Sequence, residues 1–117
     1  MDYGYARLGN TRFYNTTPNT IKILDDSLNV ILEIPKAKKP LQILVKNKLW
    51  NYIENVIPLT CRALTLASLP APINNAYFIV SPVIAQVSLR GDLLIPYDPI
   101  LDIEGNTIGY RSLAFIG

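Results

Sequence analysis

The chain has 117 residues, half of them hydrophobic and 17% charged, with 11 basic side chains against 9 acidic ones. A chain of that length holds one domain with one core, its apolar content excludes intrinsic disorder, and a net charge of +2 is too small for the field of a dedicated duplex-binding domain. With no histidine the commonest general base and metal ligand are missing, and Cys61, alone, makes neither an internal disulfide nor a thiolate zinc site.

At the amino terminus Asp2 and Arg7 stand among Tyr and Gly without a charged-then-apolar leader, so the chain is expected in the cytoplasm. Arg12 to Asn15 and Ile21 to Leu24 flank Thr17-Pro18-Asn19, which predicts strand, turn, strand. Asp25-Asp26-Ser27 is a second turn signal, and Val30 to Ile34, closed by Pro35, is expected to form a hairpin with Ile21 to Leu24. Lys36-Ala37-Lys38-Lys39-Pro40 reads as an exposed connection. Leu41 to Val45, Lys48 to Ile53 and Val56 to Leu66 read as three strands, separated at Asn47 and at Glu54-Asn55.

No charge occurs from Ala63 to Leu89, but Pro70, Pro72, Asn74, Asn75 and Pro82 interrupt the stretch, so it reads as core crossed by turns rather than a membrane span. Ala76 to Val80 is an unbroken apolar run, expected as a central strand buried on both faces. Ser81-Pro82 supplies an N-cap and a proline at the first helical position, which predicts one short helix over 82–89 with Val83, Ile84 and Val87 toward the sheet. Ile100 to Ile103 and Thr107 to Phe115 flank Glu104-Gly105-Asn106, a closing hairpin. The expected fold is α+β: a mainly antiparallel β-sheet with one short helix, in a single small domain over residues 1–117.

No G-x-S-x-G, S-x-x-K, P-loop or G-x-G-x-x-G spacing is present, so the chain is expected not to be an enzyme, and no cofactor or metal is expected. Arg90-Gly91-Asp92 admits two readings, a mutual salt bridge or an arginine held ready for an anion. Arg111 has the same alternatives of solvated strand residue or phosphate ligand. The aromatics, Tyr77, Phe78 and Tyr110 among them, suit either a core or a stacking surface for a nucleobase. Asn15, Thr16, Thr17 and Asn19 suit turn capping or recognition of ribose and phosphate.

Several segments stand in a recurring order: Asn15-Thr16-Thr17-Pro18, Ile34-Pro35, Leu69-Pro70-Ala71-Pro72, Tyr77-Phe78-Ile79-Val80-Ser81, Ala85-Gln86, Arg90-Gly91-Asp92-Leu93 with Pro96, and Asp102-Ile103-Glu104-Gly105-Asn106-Thr107-Ile108-Gly109. In this order, over most of the chain beyond Arg12, the sequence resembles a family of small phage and prophage proteins, the anti-Thoeris sponges. It departs from them at Asn19, where family members commonly carry His, and at Ala37-Lys38, where they carry a Ser-Gly turn. The resemblance implies a phage anti-defence protein in the host bacterial cytoplasm that sequesters a cyclic nucleotide signal without cleaving it. The signal would be a cyclic ADP-ribose isomer, with cyclic oligonucleotides as further ligands. It implies a homo-oligomer, dimer or hexamer, and no duplex nucleic acid or membrane as partner. On this resemblance Arg90 and Arg111 are expected to contact phosphate, Phe78 or Tyr77 to stack, and Asn15, Thr17 and Asp92 to hold ribose. Two readings compete with it: a phage structural or assembly protein, and an inhibitor that binds a host protein directly, for which the Lys36 to Lys39 loop would meet an acidic partner.

Overall fold

Residues 2–66, 69–88 and 90–117 are described by the computed structural model, and they form nine strands and one helix. Seven strands make one barrel-like sheet in the order β1-β2-β7-β8-β9-β3-β4. Their ranges are β1 Gly4–Leu8, β2 Thr11–Asn15, β3 Ile21–Leu24, β4 Val30–Ile34, β7 Ala76–Ile79, β8 Leu93–Leu101 and β9 Thr107–Ala114. The remaining pair, β5 Ile43–Ile53 and β6 Ile57–Leu66, forms a separate two-stranded ribbon, and α1 spans Pro82–Ser88. The largely antiparallel sheet with one short helix is the expected fold class.

Pairing differs from the local reading in several places. The strands on either side of Thr17-Pro18-Asn19 do not pair with each other: β2 lies between β1 and a parallel β7, while β3 lies between β4 and a parallel β9. The loop between them therefore crosses the barrel instead of closing a hairpin. The β3–β4 hairpin forms as expected. Strand β1 was not anticipated, and β5 is continuous through Asn47, with a register shift between Leu49 and Asn51 absorbing the irregularity. Strand β8 begins seven residues before the expected Ile100, because Pro96 and Pro99 are tolerated where only β9 pairs with it.

The turns follow side-chain chemistry. Asp25 Oδ1 accepts from the backbone N–H groups of Ser27 and Asn29, both at 2.9 Å, and Asp102 Oδ1 accepts from those of Glu104 and Asn106, both at 2.9 Å. Each carboxylate thus replaces missing backbone partners in a tight bend. Gly105 adopts φ 84°, and Glu54 and Asn55 adopt 52° and 57° at the tip of the ribbon.

Two apolar layers form the core. Phe13, Ile21, Ile23, Leu32, Ile34, Ile79 and Leu94 fill the barrel, and Phe78, Val80, Ile84, Ala85 and Leu93 pack between the sheet and α1. In β7, Phe78 and Ile79 are buried on opposite faces, as expected of a central strand, whereas Tyr77 is 38% exposed. The helix turns a different face inward than expected: Ile84 and Ala85 are buried, while Val83 and Val87 point to solvent. Leu89, the expected helix end, lies outside the described residues. The barrel seam closes where β1 meets β4, since a Cβ on Gly4 would overlap the carbonyl oxygen of Pro35. Next to it the Lys38 N–H donates to Asp2 O at 2.8 Å and the Ala37 N–H to Thr17 O at 2.9 Å, so the basic connection is strapped across the seam with Ala37 buried.

Candidate ligand-binding cleft

The sheet unzips at one end. Strand β8 pairs with β7 only through Leu93 and Leu94, and β9 pairs with β3 only through Tyr110 opposite Ile23. Pro96 has no N–H with which to extend the ladder toward β7. A cleft of about 920 Å³ opens there. One wall is the β2–β3 crossing, Thr17, Pro18, Asn19 and Thr20, running into Ile21 and Lys22; the other is Val80, Ser81 and Pro82 at the β7–α1 junction with Pro96 of β8. Thr107, Ile108, Gly109 and Tyr110 of β9 complete it.

Asn15 sets the shape of the first wall. It is 0% exposed; its Oδ1 accepts from the Thr17 N–H at 2.9 Å and the Thr17 hydroxyl at 2.7 Å, and its Nδ2 donates to Asn19 O at 2.8 Å and Ile34 O at 3.3 Å. Thr16 is held likewise, its hydroxyl donating to Ile79 O at 2.8 Å. Gly109 lets β9 approach β3, since a Cβ there would lie 2.7 Å from Leu24 Cδ1 and 3.1 Å from Lys22 O. The chemistry of the lining is hydroxyl, amide, backbone and apolar. Among the described residues Lys22 is the only ammonium of the lining, 3.6 Å from Glu33 with both side chains about half exposed, and no carboxylate or thiol lines the cleft.

Of the expected site residues, Thr17 alone lines this cleft. Asn15 shapes the wall from beneath but spends its amide on backbone and Thr17, so it has no surface for ribose. Phe78 is 0% exposed between Tyr14, at 5.5 Å, and the Arg90 guanidinium, 5.9 Å from its ring centroid, so no face of it is open to a base. Tyr77 stacks on Phe13 at 6.0 Å in the barrel and does not line the cleft. Arg90 donates from Nε and Nη2 to the two oxygens of Asp92 and from Nη1 to Pro70 O at 2.7 Å, which is the mutual salt bridge of the two readings and occupies both residues. The hydrogen bond to Asp92, reinforced by its charge, raises the Arg90 pKa further above its ordinary value. Arg111 follows Tyr110 on β9, and its Nη1 donates to the exposed Asp26 Oδ1 at 3.0 Å.

The cleft residues not anticipated as a site include Thr20, Lys22, Ser81, Pro96, Thr107 and Ile108. Ser81 is legible as a helix cap and Pro96, Thr107 and Ile108 as parts of the recurring order, but none of them points to a cleft, and only the parallel pairing of β3 with β9 and of β7 with β8 brings them together. Tyr110 and Asn19 carried a signal, the one as an aromatic on the last strand and the other as a departure from the family pattern. Among the described residues no helix is long and apolar enough to cross a membrane, and no group of three His, Cys, Asp or Glu side chains has metal-site geometry. Compared with family models, curated proteins and solved structures, the chain matches none.

Proposed function

We propose that this protein is a phage anti-defence sponge: it captures a cyclic nucleotide immune signal, of the cyclic ADP-ribose class, in the cleft beside β3 and β9 and holds it without chemical change. The observation that carries the reading is the match between cleft and ligand type. Its volume of about 920 Å³ lies in the range of sites that enclose a small molecule. Thr20, Ser81 and Thr107 offer hydroxyls to ribose and phosphate, and Tyr110 offers a half-buried ring to the base. The phosphate contacts first expected of Arg90 and Arg111 pass to these hydroxyls, backbone N–H groups and Lys22.

Capture without cleavage is favoured by the same inventory. Hydrolysis of a glycosidic or phosphodiester bond calls for a positioned acid and base, and among the described residues the lining offers no carboxylate, imidazole or thiol. The reading includes self-association as a dimer or hexamer in the cytoplasm of an infected bacterium, with no duplex nucleic acid, membrane or cofactor.

The test is ligand capture. Purified protein is mixed with cyclic ADP-ribose isomers and, separately, cyclic oligonucleotides, removed by filtration, and heated to release what it holds. Recovery of the unaltered nucleotide is the expected result, and Tyr110→Ala should weaken capture about tenfold or more, the loss of one base-stacking contact of ~1–3 kcal/mol. A new product would make the protein an enzyme. Absence of depletion would leave the second reading, a phage assembly protein, which is favoured by the exposed apolar side chains of the β5–β6 ribbon.

A further inference from the structure

Strands β5 and β6 pair from Ile43 opposite Leu66 to Ile53 opposite Ile57 and, among the described residues, with no other strand. They stand away from the barrel as an arm. The molecule measures 60 × 38 × 28 Å, and its radius of gyration of 17.7 Å exceeds the ~13 Å of a compact domain of this length. The outer half of the arm is apolar on both faces. Trp50 and Val56 are 71% and 76% exposed, and Leu49, Tyr52, Ile53 and Ile57 are each about half exposed. Ile53 and Ile57, directly opposite each other, share one face, and Tyr52 with its partner Pro58 lies on the other.

A ribbon of this kind does not hold itself. Two strands without a third or a packed layer are marginal in water, and two open edges invite pairing. At ~200 Å² per large side chain, the exposed fractions amount to roughly 700 Å² of surface, close to the ~800 Å² that each partner contributes to a stable interface. Cover is therefore needed whenever the chain folds, and the one partner present at every synthesis is another copy of it.

We infer that the β5–β6 arm is the self-association element of this protein, an isologous clasp in which each arm is covered by the second copy. This locates the self-association included in the proposed function and rests on that part of it alone. Two arms related by a two-fold axis bury the same residues reciprocally, which closes the assembly instead of propagating a fibre.

The test is the molar mass of the full chain by light scattering after gel filtration, for wild type and for Trp50→Glu combined with Ile57→Lys. Wild type is expected at twice the 13.1 kDa chain mass or a higher even multiple, and the double variant at 13.1 kDa with a far-ultraviolet spectrum that keeps the barrel's strand signal and loses at most that of the arm. Hydrogen exchange of wild type gives a measurement free of mutation: amides of residues 47–62 should be protected at high concentration and lose protection on dilution, while the barrel stays protected. An oligomeric wild type whose double variant keeps its mass, or whose arm amides exchange fast at every concentration, overturns the arm and leaves self-association standing. A monomeric wild type overturns both. Nucleotide capture, measured on the same samples, decides the ligand reading separately.

Discussion

Arg90 grips Asp92 with a two-pronged contact, Nε to Oδ1 at 2.9 Å and Nη2 to Oδ2 at 2.6 Å, over the buried ring of Phe78. The guanidinium also reaches Pro70 O, so it ties the segment before β7 to the loop that starts β8. Arg90→Ala leaves a partly buried carboxylate without its partner and should destabilise the fold by about 1–3 kcal/mol, seen as a fall in Tm. Nucleotide affinity should stay near wild type in the folded fraction. A loss of affinity at unchanged Tm would return Arg90 to the ligand site.

Asn15→Ala should cost about 2–3 kcal/mol, because the Thr17 N–H and the carbonyl oxygens of Asn19 and Ile34 all lose the partner that a fully buried side chain gives them. Since Thr17 and Asn19 line the cleft, the same change should weaken capture by loosening the wall. Chemical denaturation and a binding isotherm on the same preparation separate the two effects.

Gly4→Ala should be among the most damaging single changes, at ~3 kcal/mol or worse, because the new methyl meets the Pro35 carbonyl and only backbone movement relieves it. Gly9→Ala serves as a comparison: open space surrounds that position, but its φ of 60° strains a side chain, so a loss of about 1 kcal/mol is expected. Thermal melts of the two variants order them.

Gly109→Ala bears on the cleft directly. Its methyl would press on the Leu24 side chain and come near the Lys22 carbonyl, forcing β9 away from β3. Capture should fall about tenfold or more while the fold survives, since a flexible leucine yields more easily than backbone. Equal affinity for wild type and variant would place the ligand elsewhere.

Burial, with a smaller contribution from Asp2, raises the pKa of Tyr3 above its ordinary 10.0. The folded state then holds the phenolic proton more tightly than the unfolded state, so stability is unaffected below pH 10.0 and declines as pH rises through and beyond it. Tyr3→Phe should flatten that alkaline decline in a pH series of melts.

The sequence by itself determined the elements whose cause is local. Flanking turn signals marked β3, β4 and β9, the apolar run marked β7, Ser81-Pro82 marked the start of α1, and the aspartates at 25 and 102 made their turns through their own side chains. It also determined what the cleft lacks, since a chain without histidine places none there. The tertiary structure decided which strands meet. Parallel partners such as Ile23 of β3 and Tyr110 of β9 are 87 residues apart and neither carries a sign of the other, so the cleft they frame, and the placing of Asn15, Phe78 and Arg90 outside its lining, has no local signature. The helix face followed the same rule: Val83 and Val87 are as apolar as Ile84, and only the position of β8 chose which were buried. The arm is the converse case. Its strands were readable from β-branched and aromatic residues, but apolar side chains look alike whether they face a core or water, and only the fold left those of β5 and β6 bare.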